Sequence, residues 1–140
     1  MPEPNSILYR FQLRSSGSTC GSSGGAGGGI GDGGGLCAAE GAIFIASGRL
    51  RSLSEQQLID CSTAVGIQGC NGGAMDQAFA YALANGGLDD DADYAYDGQD
   101  APGWTNATAR KVAALTNWTD VPPSDEAQLA AAVALVGPVA

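Results

Sequence analysis

Apolar residues recur at helical spacing in two stretches of the chain, and a capping signal and an alanine- and leucine-rich run mark two more helices. Leu36, Ala39, Ile43 and Ala46 fall near one face of residues 36–47, with Gly48 at the stopping position, which predicts a buried-faced helix there. Ser52-Leu53-Ser54-Glu55 has the form of a capping box. Its Ser52 hydroxyl would accept from the third helical amide while Glu55 reaches back, starting a short helix that runs to about Cys61. Met75, Ala78, Phe79, Ala82 and Leu83 predict a third helix over 74–85, with Gly86-Gly87 supplying the left-handed residue that ends it. The alanine- and leucine-rich run after Ser124 predicts a fourth, extending to Val136 and stopped by Gly137-Pro138. Between the last two lies a polar stretch with Tyr94, Tyr96, Trp104 and Trp118 and no sustained period, which reads as irregular. The short apolar patch from Ile7 to Leu13 reads as a strand or an ordered tail.

Composition changes this picture at one place above all. Nine of the twelve residues from Gly24 to Gly35 are glycine, so ordering that backbone has almost no side-chain burial to offset it, and a flexible loop is expected. Gly29-Ile30-Gly31-Asp32-Gly33-Gly34 inside it formally matches a dinucleotide fingerprint. No strand-like run leads into it, however, and the spacing is close to inevitable in such a tract. Asp89, Asp91 and Asp93 alternate like the start of a calcium loop, but Tyr94 stands where that loop needs glycine and Asp100 where it needs glutamate. A solvated acidic turn is the expectation.

The charge balance, six basic residues against fifteen acidic ones for a net −9, argues against nucleic acid as a partner. No run approaches the roughly 18–20 apolar residues of a membrane span, and Met1-Pro2-Glu3-Pro4 is not a secretory leader. Four cysteines at 20, 37, 61 and 70 form no Cys-x-x-Cys pair and the chain contains no histidine, so disulfides are expected rather than a metal site, and no cofactor is implied. The absence of histidine also removes the side chain best suited to proton transfer near neutral pH.

Three consecutive signatures then become recognisable: Ser52-Leu53-Ser54-Glu55-Gln56-Gln57-Leu58-Ile59-Asp60-Cys61, Gly69-Cys70-Asn71-Gly72-Gly73-Ala74-Met75-Asp76, and Asn85-Gly86-Gly87-Leu88. Together they resemble the papain-like cysteine peptidases, in particular the cathepsin L-like branch. Glu40-Gly41-Ala42-Ile43-Phe44 extends the likeness backward, and Val136-Gly137-Pro138-Val139 extends it to the end. The resemblance implies an α+β fold of which this chain supplies the mainly α-helical first (left) domain and only the start of the β-rich second one. On that reading residues 1–19 are a tail or strand, 20–120 the helical domain with a glycine-rich insertion at 24–35, and 121–140 the opening of the second domain.

The implied activity is endopeptidase cleavage by a thiolate, and the implied partner is a peptide in extended conformation. In the family the nucleophilic cysteine follows a Cys-Gly-Ser triplet. Here Cys20-Gly21-Ser22 is followed by Ser23, whose hydroxyl gains little from surroundings that activate a thiol. Gly17 stands in place of the family's oxyanion-stabilising glutamine, and the family's catalytic histidine and asparagine fall on the second half of the fold, beyond residue 140. The resemblance further implies that Gly72 and Gly73 meet the substrate backbone, that Met75 lines the pocket for the second residue before the scissile bond, and that Cys20 pairs with Cys70. Cys61 loses its usual partner, which should fall near Gly103, and is either free or joined to Cys37. These 140 residues are therefore expected to be inactive alone. Three accounts compete: a shifted frame or misjoined exon over residues 24–36, a non-catalytic peptide-binding decoy, and a fragment that never folds. Family resemblance places the protein in the lysosome or outside the cell, where sequons at Asn106 and Asn117 are open to glycosylation.

Overall fold

The computed structural model describes residues 7–10, 33–99, 111–135 and 137–139. Expectations for Cys20, Ser23, the glycine tract as far as Asp32 and the sequon at Asn106 lie outside the described residues. Four α-helices, two short 3₁₀ helices and two small sheets make up what is described. Strand β1 (Ile7–Arg10) is followed by helices α1 (Gly33–Ser47), α2 (Glu55–Cys61) and α3 (Met75–Ala84). Strands β2 (Leu88–Asp89), β3 (Lys111–Ala113) and β4 (Asn117–Asp120) precede α4 (Glu126–Leu135). β1 runs parallel to β4, in register from Ile7 opposite Asn117 to Arg10 opposite Asp120. β2 and β3 pair antiparallel, Leu88 facing Ala113 and Asp89 facing Lys111. The polar stretch between α3 and α4 thus holds three strands that its lack of period concealed. Each has at most four residues, too few for alternation to show.

The core is built where the helical period placed it. Leu36 and Ala39 of α1, Leu58 of α2 and Ala78, Phe79 and Ala82 of α3 are buried with Leu53, Ile67, Leu88 and Leu115 from the segments between. α1 begins at Gly33, so the last three glycines of the expected loop are helical, and Ala46 at the far end of its apolar stripe is exposed. Phe44 and Ile45, 51% and 63% exposed, make the second half of α1 apolar on its open side as well. Gly41 allows Pro138 to lie against α1, since a Cβ at Gly41 would sit 2.6 Å from the proline Cγ. No helix among the described residues is long and apolar enough to cross a membrane.

The start of α2 is a correction. Its cap is Ser54, not Ser52: the Ser54 hydroxyl accepts from the Gln57 amide at 3.0 Å and donates to the Tyr94 carbonyl at 2.6 Å. Ser52 and Leu53 are engaged elsewhere. The Ser52 carbonyl accepts from the Asp91 amide, the Leu53 amide donates to Glu40 Oε1 of α1, and Leu53 bridges to Asp90 as an isolated strand pair. Ser54→Ala is expected to lower stability by about 1–2 kcal/mol and Ser52→Ala by less than about 0.5 kcal/mol, as read by urea unfolding. The acidic turn is also corrected, because Asp89 is fully buried, its amide donating to Gln57 Oε1 at 2.8 Å. Asp93 is exposed. The start of α4 lies just beyond Ser124, where Asp125 Oδ1 accepts from the Gln128 amide.

Candidate substrate-docking site

Residues 66–75 form a tightly self-bonded loop ahead of α3. Gly66, with φ of +100°, closes a 3₁₀ turn at Thr63–Val65, and Ile67 plugs the loop into the core at 1% exposure. The Gln68 amide donates to the Gly72 carbonyl at 2.9 Å and the Gly72 amide donates to the Gly69 carbonyl at 3.0 Å. Gly72 itself has φ 88° and ψ −172°, a conformation open essentially to glycine. Both polar groups of Gly72 are therefore spent inside the loop.

Gly73 differs from its neighbour. It is only partly buried, and its amide and carbonyl have no hydrogen-bond partner among the described residues. The next residue, Ala74, is extended (φ −93°, ψ 150°), and its amide donates to Gln77 Oε1 at 2.8 Å. The space above Gly73 is closed on the protein side by Ile67 and Gln77, so a side chain there has no room. Met75 opens α3, packs partly against the core and keeps part of its surface accessible. Gly72, Gly73 and Met75 thus share one ledge at the start of α3, where the Gly73 amide and carbonyl have no partner among the described residues.

The ledge rests on a buried polar frame. Gln56, 1% exposed, accepts at Oε1 from the Asp97 and Gly98 amides and donates from Nε2 to the Gln99 carbonyl and to Asp60 Oδ1. That arrangement pins residues 97–99 against the loop, where Cys70 Sγ lies 3.7 Å from the Gly98 carbonyl. Cys37 and Cys61 take part in no disulfide bond, so Cys61 is not joined to Cys37. Neither Gln56 nor Gln77 stood out in the sequence. Gln77 had one available signal, its place as the third helical residue, where an amide reaches back to the cap.

Behind the frame, burial pushes the Cys61 thiol up, hydrogen bonding with Tyr94 and Tyr81 pulls it down, and the charges of Asp60 and Asp89 add to the rise. Burial likewise pushes the Tyr94 phenol up, reinforced by its 2.6 Å donation to Asp60 Oδ2. A phenol that holds its proton more tightly folded than unfolded adds stability below the unfolded value, about pH 10. That stability is lost as pH rises towards the folded value. Melting temperature is therefore expected to fall as pH is raised from about 9 to about 11, with a shallower slope in Tyr94→Phe. A parallel slope in the two proteins would contradict the assignment.

Helices packed around Phe79, a glycine ledge at the mouth of α3 and small strands toward the chain's end define the helical half of a two-domain peptidase fold. A family profile described as papain family cysteine protease matches residues 33–140, and the chain belongs to that family. It is similar to Cathepsin L1 of Drosophila melanogaster, 49% identical over 107 residues that cover 73% of this chain and 27% of the relative. It is also similar to Procathepsin L of Mus musculus, 49% identical over 100 residues covering 71% and 29% respectively. The chain thus spans less than a third of the length of these relatives. Among solved structures, the proform of a ragweed pollen cysteine protease superposes with a TM-score of 0.70 at 28% identity, covering 94% of this chain and 36% of that one. Digestive procathepsin L 3 of Tenebrio molitor larval midgut gives 0.65 at 30% identity, with coverage of 94% and 46%.

Proposed function

We propose that this chain supplies the peptide-docking wall of a cathepsin L-like cysteine endopeptidase and that its 140 residues do not themselves cleave the peptide they hold. The observation that carries the reading is Gly73, whose amide and carbonyl have no partner among the described residues and stand on a ledge where an extended peptide backbone can approach closely. Met75 beside it favours an apolar side chain. Gly72 acts through the loop geometry rather than by touching substrate.

Hydrolysis within this segment is opposed by its chemistry. Ser23 holds the nucleophile position and no imidazole exists in the sequence to take its proton. A shifted frame or misjoined exon over residues 24–36 would account for the lost nucleophile, although the family match already begins at residue 33, inside that window. The intact ledge favours the decoy alternative, a binder that retains docking without cleavage. We assign Cys20 as the partner of Cys70, a pairing that belongs with the lysosomal or extracellular route of the family rather than with a reducing compartment.

A fluorogenic peptide carrying an apolar residue two places before its reporter bond tests this reading. The expected result is saturable binding with no release of fluorophore between about pH 5 and 7, in the parent and in Ser23→Cys alike. Turnover that is proportional to protein concentration and vanishes in Ser23→Ala would overturn it.

A further inference from the structure

At the C-terminal end of α1, a hollow of about 430 Å³ is lined by Ile43, Ser47, Arg49, Arg51 and Val112. It shares no residue with the Gly72–Gly73 ledge. Its walls are of two kinds: Ile43 and Val112 supply a partly buried apolar floor, and two guanidinium groups supply positive charge. The Ser47 hydroxyl donates to the Ile43 carbonyl at 2.7 Å and accepts from the Arg49 amide at 3.2 Å. With Gly48 at φ +71°, these bonds set the backbone from which Arg49 projects.

The two arginines are not equivalent. Arg51 lies 3.6 Å from Asp90, which offsets much of its charge. Arg49 has no carboxylate within ion-pair distance among the described residues, although acidic residues outnumber basic ones fifteen to six. The hollow therefore carries about one uncompensated positive charge. That matches a single carboxylate better than a doubly charged phosphate, and a net charge of −9 repels polyanions and anionic lipid surfaces. Leu50, between the two arginines, is 71% exposed, and Phe44, next to Ile43, is 51% exposed. Apolar side chains of that size left open beside an unpaired guanidinium mark a surface for a protein segment rather than for a bare ion.

We propose that this hollow docks a short acidic and apolar peptide segment of a partner protein, its carboxylate forked by Arg49 and its neighbouring apolar side chain seated on Ile43 and Val112. Arg51 assists by charge. The interaction weakens with salt, because both arginines face solvent.

Fluorescence anisotropy with an N-terminally labelled, C-terminally amidated Leu-Glu-Leu-Gly peptide, and with its equally blocked Leu-Gln-Leu-Gly counterpart, tests the assignment on the intact chain. The expected result is saturable binding of the acidic peptide, about tenfold weaker for the glutamine peptide and for Arg49→Gln, and weaker again as salt rises from about 50 to about 300 mM. Arg49→Lys, which keeps the charge but not the fork, should fall between the two. An extended apolar peptide that occupies the ledge should leave the acidic peptide in place. Equal binding of the two peptides, full affinity in Arg49→Gln, displacement by the apolar ledge peptide, or displacement by millimolar inorganic phosphate would each overturn the proposal. So would failure of the acidic peptide to bind a chain whose thermal unfolding is cooperative.

Discussion

Truncating Phe79 to alanine is expected to remove about 3–5 kcal/mol of folding stability, the largest loss of any single side chain in the described core. Phe79 is 1% exposed and is the largest of the fully buried side chains. Its ring lies 6.0 Å from that of Trp118, tilted by 39°, so it joins α3 to β4 as well as to the helical core. Alanine would forfeit the transfer energy of the ring and leave a cavity beside Trp118 of β4. A domain of this size holds only about 5–15 kcal/mol in total, so the variant should lose much of its cooperative urea transition at room temperature. Phe79→Leu, which keeps most of the volume, should lose roughly half as much. A midpoint for Phe79→Ala within experimental error of the parent would mean that Phe79 is not the keystone of this core.

The second large effect falls on the ledge. A Cβ at Gly73 would lie 2.7 Å from Ile67 Cγ1 and 3.2 Å from Ile67 Cα, with Gln77 Oε1 at 3.0 Å. Ile67 is buried and part of the obstruction is backbone, so the loop itself has to move. Gly73→Val should lower stability by about 1–3 kcal/mol, as overpacking does. It should weaken the affinity for an extended apolar peptide by more than about tenfold, because the two backbone groups that face the peptide are displaced. Urea unfolding separates the first effect from the second. A variant that is destabilised but binds normally would place the docking surface elsewhere.

The sequence carried α1 and α3 through the spacing of their apolar residues, α2 through a capping signal and α4 through its alanine- and leucine-rich run, and it carried the family because three dense signatures survive around Leu58, Gly73 and Gly86. What it concealed follows a physical pattern. The Ser52 box met the local rule for a cap, yet Ser54 won, because Ser52 and Leu53 are held by Asp91, Glu40 and Asp90, contacts that no local window contains. Asp89 looked solvated beside its acidic neighbours, but Gln57, thirty-two residues earlier, takes it into the core. β2, β3 and β4 depend on pairing between distant segments and have little propensity of their own. At the ledge, the glycine pair was legible from the motif. The division of labour between Gly72 and Gly73 was not, because it rests on which carbonyl the Gln68 amide finds.

The most direct measurement is amide mapping by NMR of the 140-residue chain during titration with an uncleavable, extended apolar peptide. The Gly73 amide is expected to shift first and furthest, Ala74 and Met75 to follow, and Gly72, bonded within its loop, to move little. A folded protein whose Gly73 signal stays unmoved while the peptide binds at another surface would contradict it.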